Sequence, residues 1–352
     1  MKKNSRQGKR TEGETIGMDL GDKLSRYAVV NEEGEVVEES SFRNRAESIA
    51  KHFGGRARAR VALEAGTQSA WIARELAQYG HEVIVANTRE LKWITASDRK
   101  SDRGDAVKLA LLARADRRLL APVEYRTAQQ QAELSVIRAR DALVRARTLL
   151  VNAARGLAKG FGKRLPATVT RSFGKRAGAE LPEILEAPLG GLLEQIDALS
   201  RQIRNYEQQI LELAAGRKEV ARLATVPGVG TLTALTFVLT LGRQERFASS
   251  RDVAAYLGLL PRRRQSGERD PQLGISKSGD KYLRKLLVQC AHHVLGHWGT
   301  DSALRRWGLA KSQAGGKPAV KRAIVAVARK LAVLLHRLWV TGETFQPFPL
   351  KA

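Results

Sequence analysis

The chain has 352 residues, 43% of them hydrophobic, and a formal net charge of +25. That is enough apolar material for two or three cores, and the excess of 61 Lys+Arg over 36 Asp+Glu points to a polyanionic partner. No run of ~20 apolar residues occurs, so no spanning helix and no membrane partner is expected; the lone Cys290 excludes an intrachain disulfide and a cysteine-based zinc site.

The opening "MKKNSRQGKRTEGE" is basic with no apolar stretch behind it. It reads as a flexible arm over residues 1–13 rather than a secretory signal. "ETIGMDL", "SRYAVV" and "EVVEESSF" read as strands, the last two joined as a hairpin through "NEEG". "NRAESIAKHF" reads as a short helix, "RARVALEAG" as a strand ended by Gly66, and "SAWIARELAQYG" as a helix closed by Gly80. "HEVIVAN" is a further strand, and "SDRGDAVKLALLARAD" a capped helix. Strands alternating with helices after an opening hairpin predict an α/β domain over residues 14–125.

The next stretch, 126–218, has heptad spacing. Val136, Leu143, Leu150 and Leu157 recur every seven residues, with Ala139, Ala146 and Ala153 interleaved. Leu192, Ile196, Leu199, Ile203, Tyr206, Ile210 and Leu213 then step by four and three. Both segments are predicted helices of a coiled-coil region, with residues 158–182, rich in Gly, Pro and basic side chains, as the loop between them. Dimerisation through this region is expected; an antiparallel hairpin within one chain is the alternative.

Residues 219–352 read as a mostly α-helical domain. "VPGVGTLTALTFVLTL" breaks at Pro-Gly-Val-Gly and turns apolar. "SSRDVAAYLGLLP" opens on a Ser cap, "SKSGDKYLRKLLVQCAHHVLGHW" follows a Gly-rich loop, and "PAVKRAIVAVARKLAVLLHRLWV" is a long apolar helix with a basic face. Residues 221–352 hold 22 Lys+Arg against 7 Asp+Glu, so this third of the chain carries more than half of the net charge. His293 and His297 have an i,i+4 ligand spacing, but no HExxH motif accompanies them; with His292 they read as structural.

Four acids stand out. Asp19 and Glu64 interrupt apolar strands, where an unpartnered carboxylate is costly. Asp102 and Asp105 are i,i+3 at a helix start and share a face. Taken singly they read as a cap, a strand-end acceptor or an ion-pair partner. Together, converging at one end of a sheet, they form an oxygen-only set suited to Mg²⁺ or Mn²⁺ and to phosphoryl transfer. The second constellation is basic. Gly228 and Gly230 lie at a turn whose N–H groups suit a phosphate. Arg262, Arg263, Arg264, Lys277, Lys281, Arg284 and Lys285 cluster around the pair Ser266-Gly267. By composition Ser266 reads as a phosphate-binding hydroxyl, because no histidine stands near it as a base. Glu268 and Asp270 read as solvated charges.

"GMDLG", "VALEAGT" and "SDRGDA" resemble the DEDD pattern of the RuvC-like, RNase H-fold domain of IS110-family transposases. The family's acids fall on Asp19, Glu64, Asp102 and Asp105. "VPGVG", "AAYLGLLPRRRQSG" and "GISKSGDKYLRKLL" resemble, in the same order, the C-terminal transposase domain of that family, whose serine nucleophile falls on Ser266. The resemblance implies an α/β RNase H-like N-terminal domain, a coiled coil and a helical C-terminal domain. It also implies DNA transposition through a covalent serine–DNA phosphodiester, with Mg²⁺ or Mn²⁺ held by the four acids. Its implied partners are donor and target DNA, a structured bridge RNA, and further copies of the chain, as dimers assembling to a tetramer with a site shared between protomers. A cytoplasmic, nucleoid-associated bacterial protein is expected. Two other readings stay open: a RuvC-like, metal-dependent junction nuclease using water as nucleophile, and a non-catalytic nucleic-acid-binding protein.

Overall fold

A computed structural model describes residues 13–87, 102–265, 271, 273–313 and 315–348, with backbone alone for Asp102 and Arg103. The chain divides into two compact units, residues 1–125 and 126–352.

The first unit is built on a five-stranded mixed sheet: β1 (Thr15–Asp19), β2 (Leu24–Val30), β3 (Val36–Arg43), β4 (Arg60–Glu64) and β5 (Glu82–Ala86), in the order β3-β2-β1-β4-β5. β1, β2 and β3 pair antiparallel, while β1, β4 and β5 run parallel. This arrangement is compatible with an RNase H-like domain. β1 and β4 are central strands and accordingly near-continuous apolar runs, TIGMD and RVALE. β3, at the edge, buries only Phe42 and carries Glu38 and Glu39, charges that blunt edge pairing.

Side chains alternate across a sheet with period two, and the two faces have different cores. Ile16, Met18, Val61 and Leu63 pack with Ile49 and Phe53 of α1 (Ala46–Phe53) and with Ile72 and Leu76 of α2 (Ser69–Gln78). On the other face, Ala62, Ile84 and Ala86 pack with Leu109 and Ala113 of α3 (Asp102–Ala115). Gly17 belongs to this second face. A Cβ there would collide with the carbonyl oxygen of Ala106 and lie 2.5 Å from the nitrogen of Ala110. Helix and strand backbones touch at Gly17, and only glycine leaves room for that.

The second unit begins with α4 (Ala128–Gly160), opened by a capping box between Thr127 and Gln130. α4 packs antiparallel on α6 (Glu183–Ala215): Arg140 Nη2 donates to Glu207 Oε1 (2.5 Å), and Arg147 Nη1 to Ser200 Oγ (3.1 Å). The two long helices thus form a hairpin within one chain. Residues 158–182 are a loop, as expected from their composition, only over 161–169 and 180–182. α4 runs to Gly160, and α5 (Phe173–Ala179) follows a short 3₁₀ turn. Phe173 is fully buried among Val151, Leu189 and Leu193, and Arg155 stacks over its ring at 4.9 Å. Gly174 lies so close to Asp197 of α6 that a side chain would clash with its carboxylate. A tertiary contact, not helix propensity, makes this segment helical.

The stripes on the two helices differ from the sequence pattern in an informative way. On α6, Ile196, Ile203 and Ile210 are buried as expected. On α4 the buried positions are Glu133, Leu134, Ile137, Val151, Ala154 and Ala158, and Val136, Leu143 and Leu150 of the predicted seam are half-buried, so the buried face overlaps the predicted one only in part. Ala146, Leu149, Ala153 and Leu157 lie exposed on the outer side.

The ends of this hairpin join the main core of the unit. α7 (Lys218–Leu223), α8 (Thr231–Leu241), α9 (Ser250–Tyr256), α10 (Lys281–Leu295), α11 (Ala303–Ser312) and α12 (Gly316–Thr341) complete it. α8, apolar all round, is the central helix; every residue from Thr233 to Leu241 is buried. Arg126 closes its C-terminus, donating to the carbonyls of Leu239 (2.7 Å) and Thr240 (2.5 Å). Burial pushes the Arg126 guanidinium below its ordinary pKa. Among the described residues no helix is long and apolar enough to cross a membrane.

Candidate active site

The parallel register of β1 and β4 places two of the four acids. Gly17 pairs with Ala62 and Met18 with Leu63; the next residue on each strand is Asp19 and Glu64. Both are half-buried and stand side by side at the C-terminal edge of the sheet. By alternation they extend the rows of Gly17 and Ala62, so they belong to the face that α3 covers.

The direction of α3 places the third. Ala106 and Ala110 lie over Gly17, and Ala113 further along accepts a hydrogen bond from Arg60 Nη1 (3.1 Å). Arg60 pairs with Thr15, at the other end of the sheet. α3 therefore runs antiparallel to β1, and its N-terminal turn lies toward the edge that carries Asp19 and Glu64. That turn bears Asp105, whose side chain is 16% exposed and ion-paired to Lys108 at 3.2 Å. Asp102 is the first residue of the helix, and its side chain lies outside the described residues. Arg26 of β2 is directly opposite Asp19 in the antiparallel register.

This donor set is all carboxylate oxygen, the chemistry of a hard divalent cation. Among the described residues no group of three or more His, Cys, Asp or Glu side chains stands close enough together to hold a metal ion. The fold brings the strand and helix positions to one edge, and the fit rests on that placement together with the donor chemistry. Exposed His292, His293 and His297 lie on or just beyond the last turns of α10; His297 packs edge-on against Trp298.

Ser266 and Gly267 lie outside the described residues, but the stems on either side are defined. Arg262 N–H donates to Gly274 O (3.0 Å), Ser276 N–H to Leu260 O (2.9 Å) and Lys277 N–H to Gly258 O (3.1 Å). Gly258 and Gly279 hold this junction. Both have positive φ (67° and 71°), and a side chain on either would strike backbone, of Ser278 or of Tyr256. Arg284 Nη1 donates to the carbonyls of Leu257 (2.8 Å) and Ser278 (2.6 Å). It braces the junction from inside, which its sequence context among basic residues did not reveal. Lys285 pairs with Asp141 at 3.1 Å. Arg262, Arg263, Arg264, Lys277 and Lys281 are exposed.

At the Pro-Gly-Val-Gly turn, Gly228 has φ +83° and backs onto His293 and Cys290. Gly230 is the N-cap of α8, open to solvent. The turn borders a cleft of about 480 Å³ whose far wall is Gln289, Cys290 and His293. Burial raises the Cys290 thiol pKa, so it stays a packing residue and not a thiolate.

Comparison with known proteins matches both units. Residues 16–162 match a family model described as "Transposase", of the DEDD type named for IS110, and residues 220–307 match the model "Transposase IS116/IS110/IS902 family". Over 70% of its length the chain is 34% identical to the transposase for insertion sequence element IS1111A of Coxiella burnetii, covering 68% of that protein. It is 36% identical over 66% of its length to the IS1328 transposase of Yersinia enterocolitica, covering 69% of it. It is 34% identical over 82% of its length to a probable family 20 transposase of Pseudomonas aeruginosa, covering 86% of it.

Proposed function

Because the chain belongs to the IS116/IS110/IS902 family of transposases, we propose that it cuts and rejoins DNA through a serine–phosphodiester, with the four acids holding divalent metal. The observation that carries the acidic half is the parallel register that sets Asp19 beside Glu64, under the end of α3 that bears Asp105. Asp19, Glu64, Asp102 and Asp105 would hold Mg²⁺ or Mn²⁺, which when bound would supply Lewis-acid polarisation of a DNA phosphate and a lower pKa for an attacking hydroxyl.

Ser266 Oγ gives up its proton and bonds to phosphorus, and the bond to the leaving deoxyribose oxygen breaks. That oxygen leaves as a hydroxyl. A hydroxyl on the exchanged strand reverses the step, so rejoining conserves the phosphodiester without ATP. The exposed Arg262 and Arg264, with Arg263, neutralise the phosphate charge. The described segments on either side of Ser266 are tied together by the Gly258–Lys277 and Arg262–Gly274 hydrogen bonds; this supports a nucleophile held between fixed stems.

The partners in this reading are donor and target DNA, a structured bridge RNA and further copies of the chain. The exposed apolar row of α4 supports self-association: Leu149 is 69% exposed and Leu157 52%. The test of the acidic half is strand cleavage in Mg²⁺. Asp19→Asn and Glu64→Gln abolish cleavage by at least a hundredfold while the melting temperature stays at or above that of the wild type. Cleavage that survives both changes removes the acids from the chemistry.

A further inference from the structure

In the second unit, α9, α11, α12 and the segment after α12 border a cavity of about 710 Å³. Trp307 lines it, and Lys311 and Lys330 stand over the Trp307 ring at 5.3 and 4.0 Å. Arg251, Arg329 and Arg337 complete a cationic rim. Among the described residues one acid approaches this rim, Glu343, 3.9 Å from Arg337 and itself 59% exposed. The far wall is the segment after α12, held by the bond from Ala303 N–H to Pro347 O (2.9 Å), with Phe345 facing the cavity.

We propose that this cavity is a binding site for an unpaired nucleotide of single-stranded DNA. A concave aromatic floor ringed by cations takes up a base face and its flanking phosphates together, and each base has such a face. A duplex keeps its base faces stacked and offers Trp307 nothing, whereas strand exchange exposes them. The volume falls within the roughly 300–1,000 Å³ range of small-molecule and cofactor sites. Lys311, Arg329, Lys330 and Arg337 are exposed. A base arriving on the ring moves a lysine ammonium off the indole and onto the neighbouring phosphate. On α12, Arg329, Lys330 and Arg337 all border the cavity. The inference rests on the reading of the chain as a DNA transposase, but not on the serine chemistry.

The test is binding of a fluorescent mixed-sequence 12-mer to the full chain at ~0.1 M salt, where phosphate contacts are neither saturated nor screened out. Trp307→Ala weakens single-strand binding about tenfold and leaves affinity for the matching duplex within twofold, while Trp307→Phe keeps most of it. Trp307 packs partly on the core, so the double change Lys311→Gln/Lys330→Gln gives a second reading on exposed residues. It weakens single-strand binding about fivefold with an unchanged melting temperature. A 12-mer carrying 5-iodouracil cross-links under ultraviolet light to the peptide containing Trp307. Four results overturn the site: unchanged single-strand affinity in the lysine pair, parallel loss of single-strand and duplex binding, cross-links that map elsewhere, or displacement of the 12-mer by polyglutamate at equal charge. Tighter binding of the same sequence as RNA overturns the assignment to DNA. Cleavage in Mg²⁺ is read separately, so failure of the acidic site leaves this result standing.

Discussion

Gly17 of the central strand lies against the backbone of Ala106, with no space for even one methyl group between them. This contact fixes the height of α3 over the sheet, and α3 carries Asp105 toward the edge where Asp19 and Glu64 end their strands. Gly17→Ala therefore pushes the helix outward. It costs about 3 kcal/mol or more of stability by overpacking, and where the unit remains folded it lowers DNA cleavage more than it lowers DNA binding. The pair of measurements is thermal melting and electrophoretic binding beside a cleavage assay. Equal activity in Gly17→Ala would detach the helix from the site.

The outer row of α4 gives a second prediction. Leu149, Leu157 and Phe161 (60% exposed) are apolar side chains that the hairpin leaves outside. Leu149→Glu/Leu157→Glu is expected to lower the mass measured by light scattering, toward that of a monomer, with no loss of melting temperature. An unchanged oligomer with both glutamates in place would move the interface elsewhere.

A third prediction is that His336 makes the second unit sensitive to acid. It is 1% exposed on α12, with Nε2 donating to Gln244 O (3.1 Å) and Nδ1 accepting from Ser250 Oγ (2.9 Å). That network suits the neutral ring, and burial holds its pKa below the ordinary 6.5, against a weaker opposing pull from the Gln244 carbonyl and Asp252. The folded pKa is depressed, so the stabilisation is complete above pH 6.5 and declines as pH falls below it, where the unfolded chain takes the proton first. The melting temperature of the wild type should drop more between pH 7.5 and 5.5 than that of His336→Gln. Identical slopes would show that another group governs the response.

The strands were legible because their signal is local. Alternation and Gly or Asn-Glu-Glu-Gly punctuation marked each one, and the odd acids in apolar strands marked the edge of the sheet. The hairpin of α4 and α6 was legible as helices, but not in its pairing. Apolar residues occur on two faces of α4, and periodicity alone does not say which face meets α6 and which is left outside. Phe173 and Gly174 were missed because a helix held by one buried ring and one close approach has the composition of a loop. Arg126 and Arg284 looked like surface cations. Each has a carbonyl partner more than twenty residues away in sequence, Leu239 for Arg126 and Leu257 for Arg284. The cavity at Trp307 draws its cations from α9, α11 and α12 together, so no one helix announces it alone.

The central claim is that Ser266 bonds to DNA. Protein, labelled donor and target DNA, the proposed bridge RNA and Mg²⁺ are incubated, then denatured and separated by mass. The account predicts a labelled protein–DNA adduct that survives denaturation, is lost with EDTA, and is absent in Ser266→Ala and Asp19→Asn. Nicked DNA without an adduct, produced equally well by Ser266→Ala, would contradict it and leave the acids acting on water.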